Sequence, residues 1–241
     1  MTERGVVALS VVLPAFNEAG NIAATVQRAV AVLEPLGLSS EIIVVDDGST
    51  DQTATIAAGL PVRLICHPDN LGYGAALRSG FAAARGERVF FTDADQQFDL
   101  SELPGLLLAS SEADIAVGYR QVRRDPLHRR LNAAAWRVLV RRLLDVPVRD
   151  INCAFKIIHR RVLEQVTLSS TGALINAELL SQARAGGFSV VEIPVSHYPR
   201  ITGQQTGARP AVILRALSEL IALRGEARRR FHGSDRPEGS H

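Results

Sequence analysis

Asp93 and Asp95 stand one residue apart in the segment Asp93-Ala94-Asp95-Gln96-Gln97. On an extended backbone that spacing turns both carboxylates to the same side, and Gln97 continues the series. Two carboxylates and an amide oxygen offer hard ligands for Mg²⁺ or Mn²⁺ while leaving positions for water and phosphate oxygens. The competing reading of an isolated pair is a set of turn-capping acids. Two further polar groups share this texture: Pro14-Ala15-Phe16-Asn17-Glu18 and Asp46-Asp47-Gly48-Ser49-Thr50-Asp51. In the second, the acids either cap a following helix or leave one carboxylate to accept a nucleobase N–H. Asn70-Leu71-Gly72-Tyr73-Gly74 is either a Gly-rich turn or a place where a ligand approaches the backbone closely. No GxxxxGK[ST] occurs, so a P-loop does not hold the phosphates.

These groups matter because of the elements that carry them. Short apolar runs alternate with helical patterns in the first half, the signature of βαβ units around a parallel sheet. Strands are expected at Val6 to Leu13, Glu41 to Val45, Val62 to Cys66 and Arg88 to Thr92. Helices are expected from Ile22 to Leu33, Thr50 to Ala58 and Gly74 to Ala84. Each acidic group then follows a strand, and in open parallel sheets ligands bind at the strands' carboxyl ends. Like charges converging there require a cation or a ligand rich in donors. Beyond Gly118 the texture becomes α+β, with an Arg-rich helix near Leu127 to Leu144, a strand near Cys153 to Ile158, a helix near Asn176 to Ala185 and a strand Ser189 to Val195. A last helical pattern covers Pro210 to Arg230, and a polar tail follows from Gly233. We expect one α/β domain over 1–232, with halves 1–118 and 119–232, and a disordered tail over 233–241.

Composition narrows the class. The 241 residues are 46% hydrophobic and 22% charged, globular values that exclude collagen, coiled coil and wholesale disorder. The net charge of +2 gives no global field for nucleic acid, so a basic patch must be local. Cys66 and Cys153 lie far apart without a CxxC, which disfavours a disulfide framework or a zinc site and fits a reducing cytoplasm. The apolar stretch Val6 to Leu13 runs into Pro14 without a cleavage pattern, so it reads as a strand and not as a signal h-region. No run elsewhere reaches the roughly 18 residues of a membrane span.

The segments SVVLPAFNEAGNI, EIIVVDDGSTDQT and NLGYGAALRSGFAAARGERVFFTDADQQ resemble family 2 of the inverting glycosyltransferases, which have a GT-A fold with a Rossmann-like, mostly parallel sheet. The resemblance covers residues 6 to 205 and is strongest to the dolichyl or polyprenyl phosphate mannose and glucose synthases. It implies a nucleotide-sugar donor such as GDP-mannose or UDP-glucose, with Pro14, Ala15, Phe16, Glu18 and Asp47 around base and ribose and Asp93 and Ala94 near ribose and metal. It further implies Asp93, Asp95 and Gln97 as ligands of Mg²⁺ or Mn²⁺, Asp95 as catalytic, and Arg120, with Arg130, at the acceptor phosphate. Arg200 and Gly203 to Gly207 occupy the place of a loop closing over the diphosphate. Gln204-Gln205-Thr206 and Tyr73 depart from the family pattern, which commonly has Ser-Lys and Lys there. The QxxRW motif of processive synthases is absent, favouring single-sugar transfer.

A lipid phosphate acceptor is already anionic and needs no strong base; electrostatics and alignment then govern an in-line, inverting displacement. A hydroxyl acceptor would need a carboxylate base, for which Asp150 is the candidate, its other reading being a helix cap or a salt bridge to Arg149. Between Arg120 and Arg149 lie seven arginines (Arg123, Arg124, Arg129, Arg130, Arg137, Arg141 and Arg142) against Asp125 and Asp145. With Trp136, Leu139, Val140, Leu143 and Leu144 they suit an anionic bilayer surface or, equally, an amphipathic helix with a solvated Arg face. Ile213, Leu217, Leu220 and Ile221, followed by Arg224 and Arg228, repeat the theme and admit a membrane-protein partner or a homo-oligomer. The expectation is a cytoplasmic enzyme, peripheral on the inner membrane face, with no nucleic-acid partner. Its rivals are a transferase with a soluble or protein acceptor and a non-catalytic nucleotide-sugar-binding subunit.

Overall fold

The computed structural model describes residues 7–121, 146 and 148–200. The elements are β1 (Leu9–Ala15), α1 (Ile22–Leu33), β2 (Ser40–Asp46), α2 (Thr53–Ala58), β3 (Arg63–Cys66), α3 (Tyr73–Ala83), β4 (Arg88–Thr92), α4 (Leu103–Ala109), β5 (Ile115–Arg120), β6 (Phe155–His159), α5 (Arg160–Leu163), α6 (Ile175–Ala185) and β7 (Val190–Val195). α1 forms because Ile22, Val26, Ala29 and Leu33 recur at helical spacing and are buried, while Gln27 and Arg28 face out. Pro35 and a left-handed Gly37 close the 3₁₀ turn after it.

The seven strands form one sheet in the order β3-β2-β1-β4-β6-β5-β7. β1 pairs in parallel with β2 and β4, β2 with β3, and β5 with β7, whereas β6 runs antiparallel to both β4 and β5. The sheet is thus mostly parallel, as expected, with one reversed strand that the βαβ pattern does not announce. Burial on both faces explains the unbroken apolar runs: Leu9, Val11, Val12, Leu13, Ile43, Val44, Val45, Phe90 and Phe91 are all essentially inaccessible. Phe155 of β6 packs edge-on against Phe90 at 4.9 Å between centroids, carrying the core across the parallel–antiparallel junction.

Several expectations shift. The first strand runs from Leu9 to Ala15 instead of Val6 to Leu13, and α2 starts at Thr53, not Thr50. β5 and the short helices α4 and α5 were not expected. The Arg-rich segment near Leu127 to Leu144 and the pattern Pro210 to Arg230 lie outside the described residues.

Topology places the site. From β1 the chain builds outward to β2 and β3, then returns to β4 on the other side of β1. The crevice beyond the carboxyl ends of β1 and β4 is therefore a topological switch point. Because β6 is reversed, its amino end, with Asp150 to Ala154 before it, meets the carboxyl ends of β4 and β5 (Thr92 opposite Phe155, Val117 opposite Lys156).

Candidate active site

The segment leaving β4 carries Asp93 and Asp95 to the switch point. Glu18, after β1, joins them through Arg200: the guanidinium bonds Glu18 Oε1, and its Nη1 lies 3.6 Å from Asp95 Oδ2. Arg200 reaches this point because β7 exits toward β4. Tyr198 N donates to Gln97 O (2.7 Å), Gln97 Nε2 donates to Tyr198 O (3.0 Å), and Phe98 bridges His197. Asn21 Nδ2 donates to Glu18 Oε2 at 2.6 Å, and Gln97 N caps Asp95 Oδ1 at 3.1 Å. Thr25 Oγ1 donates to Ala94 O at 2.9 Å, fixing the residue between the two aspartates.

Electrostatics mark these acids as strained. Burial lifts the Glu18 and Asp95 carboxyls above their usual range, with Asn21 and Arg200 opposing at Glu18 and Gln97 N and Arg200 opposing at Asp95. Asp93 is lifted by burial and then by the charge on Asp95. Its Oδ1 is buried without a hydrogen-bond partner among the described residues. An orphaned carboxylate oxygen beside a second carboxylate fits a divalent cation. No group of three or more His, Cys, Asp and Glu forms a metal cage among the described residues. Two carboxylates from the Asp93–Asp95 segment suit Mg²⁺ or Mn²⁺, which take oxygen ligands and readily complete their shell with water and phosphate oxygens.

Across the crevice, Arg120 at the end of β5 makes a two-point bond to Asp150: Nε to Oδ2 at 2.6 Å and Nη2 to Oδ1 at 2.9 Å. Asp150 is buried, while the Arg120 side chain keeps 19% exposure, so the pair sits at the boundary between core and solvent with its guanidinium held in one orientation. The two-point partner of Asp150 is thus the Arg120 guanidinium, which local sequence spacing did not indicate. Both its oxygens already accept guanidinium protons, a poor arrangement for a general base.

Beneath both halves lies Lys156, entirely inaccessible. Its ammonium donates to Ile151 O (3.1 Å), to Asn176 Oδ1 (2.7 Å) and to Cys153 O, with the Phe91 ring 5.3 Å away. Burial pushes its pKa down to about 8, against the pull of Cys153, Asp150 and Asp93. The Tyr73 hydroxyl is hydrogen-bonded between Asp93 and Asn176, and burial pushes it well up.

Asp47 is held by the loop beside it. Its Oδ2 accepts from Gly72 N (2.8 Å), and its Oδ1 accepts from Leu71 N (3.0 Å) and lies 2.7 Å from His67 Nδ1. Both oxygens are thus engaged with the protein. Among the described residues, the buried oxygen without a hydrogen-bond partner at this strand tip is Asp46 Oδ1. The Asn70–Gly74 turn resolves the same way: a Cβ on Gly72 would lie 2.5 Å from Thr171 O, and one on Gly74 2.4 Å from Ser170 O. These glycines admit the Ser170–Gly172 backbone. Pro14 and Ala15 are buried in β1 opposite Val45 and Asp46, and Phe16 is exposed beyond them. Arg130 and Gly203 to Gly207 lie outside the described residues. Sequence reasoning missed Lys156, Asn176 and His67. Lys156 had a signal, a lone ammonium in the apolar strand Phe155-Lys156-Ile157-Ile158.

Comparison with known proteins adds three findings. A family description, Glycosyl transferase family 2, matches residues 10–167. The hexosyltransferase Agl6 of low-salt glycan biosynthesis in Haloferax volcanii is 32% identical over 200 residues, covering 80% of this chain and 48% of that protein. The dodecaprenyl-phosphate galacturonate synthase of Rhizobium johnstonii is 34% identical over 169 residues, 66% of this chain and 50% of that protein. This chain therefore spans about half the length of these relatives. Glucosyl-3-phosphoglycerate synthase of Mycobacterium tuberculosis, solved with phosphoglyceric acid, superposes with a TM-score of 0.72 at 23% identity, over 90% of this chain and 80% of that one. The likeness establishes the fold.

Proposed function

This chain belongs to glycosyl transferase family 2, and from that premise we propose that it transfers one hexose from a nucleotide sugar, such as GDP-mannose or UDP-glucose, to a polyprenyl phosphate with inversion. The observation that carries the reading is the juxtaposition, on one sheet edge, of a carboxylate cluster with an orphaned oxygen and a guanidinium fixed by Asp150. The relative named for dodecaprenyl phosphate supports the lipid acceptor. Relatives of the same fold crystallised with Mn²⁺ and UDP support a divalent cation and a nucleoside diphosphate.

In this reading Asp93 and Asp95, with Gln97 beside them, hold Mg²⁺ or Mn²⁺, and Phe16 and Glu18 lie along the base and ribose. The cation, when bound, neutralises charge developing on the leaving diphosphate. Arg200, already on Glu18 and Asp95, supplies a second positive charge to the same region. Arg120 orients the acceptor phosphate for attack on the anomeric carbon, with Asp150 keeping the guanidinium in place rather than removing a proton. The phosphate oxygen is the nucleophile and is anionic at neutral pH, so the chain needs no base. Such an enzyme would work at the cytoplasmic membrane face. No helix among the described residues is long and apolar enough to cross a membrane, and attachment in this reading is peripheral.

The test is a transfer assay with a panel of radiolabelled nucleotide sugars and Mn²⁺, offering a short polyprenyl phosphate, 3-phosphoglycerate, or no acceptor. Labelled lipid is the expected product. Labelled phosphoglycerate instead would move the acceptor to the soluble class, and donor binding without any product would make the chain a binding subunit.

A further inference from the structure

We propose that Lys156 is a positioning residue for sugar transfer: its buried ammonium ties the Ile151–Cys153 turn to Asn176 and so fixes the Arg120–Asp150 pair relative to Asp93. The inference rests on the glycosyl-transfer reading and names a further residue for it.

Lys156 occupies the middle of the sheet, opposite Phe91 on one side and Val117 on the other. Both of these cross-strand neighbours are apolar, and an ammonium there is costly unless fully partnered. The partners are specific. Two are carbonyls of the turn that follows Asp150, and Cys153 N closes that turn onto Asp150 O at 3.2 Å. The third, Asn176, lies in the first turn of α6 and meets the Tyr73 hydroxyl, which in turn meets Asp93. A continuous polar chain therefore runs from Asp93 through Tyr73, Asn176 and Lys156 to the turn, then to Asp150 and Arg120. It joins the donor-side carboxylate to the acceptor-side guanidinium through the core. An apolar side chain could fill the volume, but it would leave the turn carbonyls without their donor and the adjacent carboxylates without a fixed positive charge.

The chain carries its own reporter. Cys153 is buried, and burial pushes its thiol up to about 12, whereas Cys66 is exposed. A thiol reagent should thus label Cys66 in every variant and Cys153 only when the turn opens. Lys156→Met keeps most of the stem and removes the ammonium. Cys153 labelling is expected to accelerate about tenfold, while affinity for UDP or GDP with Mn²⁺ stays within about threefold. kcat with a short polyprenyl phosphate is expected to fall about a hundredfold, because the reacting groups lose their alignment. Asn176→Ala removes one of the three anchors and should show the same pattern more weakly, so it serves if Lys156→Met does not fold. Unchanged Cys153 protection together with unchanged kcat in a folded variant overturns the proposal. So does a loss of kcat that merely accompanies lost melting cooperativity and lost nucleotide binding. Wild-type protein that transfers no sugar to polyprenyl phosphate refutes the acceptor reading instead, and Cys153 protection then decides on Lys156.

Discussion

At Asp93, Asp95 and Glu18 the demands of binding and of stability oppose each other. Burial holds each carboxyl above its ordinary range, and the charge on Asp95 raises Asp93 and Glu18 further. A carboxyl whose folded pKa exceeds its unfolded value favours the fold fully only below the unfolded pKa, and that contribution is lost as pH rises through the folded pKa. The metal-free protein should therefore lose stability from this cluster as pH rises from about 4 to about 8. Asp93→Asn removes one of the repelling charges, so its melting temperature in EDTA should exceed wild type by a few degrees at pH 8 and match it near pH 4. Mn²⁺ should raise the wild-type melting temperature more at pH 8 than at pH 5.5 and leave the variant nearly unmoved. Differential scanning fluorimetry over that range checks both; a gain from Asp93→Asn that is equal at every pH would show that charge is not the cause. Asp95→Ala tests the same cluster by turnover. Transfer should fall by at least about a hundredfold, because a diphosphate leaving group would form beside Glu18 and Asp93 without its counter-charge, and added Mn²⁺ should not restore it.

The loops that hold these residues were legible to different degrees, for reasons that differ by element. β1, β2 and β4 could be read because strands buried on both faces give unbroken apolar runs, and α1 because its apolar residues keep helical spacing. β5 was missed because Ile115-Ala116-Val117-Gly118-Tyr119-Arg120 is short, contains a glycine and looks like a bare motif. α4 was missed because Leu103-Pro104-Gly105 reads as a breaker, although proline is well tolerated in a first helical turn. The Arg120–Asp150 pair depends on the antiparallel register of β5 on β6, which no local spacing encodes. Asp47 lies at the sheet edge that its place after β2 implies, and its loop partners could not be read from local spacing. As a strand-tip residue it would weaken donor binding more than the fold; as the acceptor of Leu71 N and Gly72 N it is the anchor of the loop beside α3. Asp47→Ala should thus cost about 1–3 kcal/mol by leaving those donors unpaired, visible as a lower midpoint in urea. Nucleotide affinity should fall in step. A normal midpoint with greatly weakened nucleotide binding would return Asp47 to the ligand.

Across the whole molecule, the sheet brings the Asp93–Asp95 carboxylates and the Arg120–Asp150 pair to one edge, and charge is distributed unevenly along the sequence in a way that the net value of +2 conceals. Two sets of arginines follow from that unevenness. Arg120 sits at the end of β5, fixed by Asp150, and in the proposed reaction it holds the acceptor phosphate. Arg129, Arg137, Arg141 and Arg142 belong to the cationic stretch between Arg120 and Arg149, whose chemistry suits anionic headgroups. If the acceptor is a membrane lipid, the two sets contribute to different steps: one to the reacting centre, the other to the concentration of enzyme at the bilayer. Arg120→Ala should therefore depress transfer even to a short, water-soluble prenyl phosphate, since it removes a contact made as the bond forms. Reversing several of the outer arginines to Glu should leave that soluble reaction largely intact and weaken cosedimentation with anionic liposomes. The loss should be about 1 kcal/mol for each charge near the surface and should shrink as salt is raised. Paired assays on the same preparations separate the two. Glu variants that still bind liposomes like wild type would assign the stretch to a solvated surface, and a soluble reaction that falls with them would place those arginines at the acceptor phosphate beside Arg120.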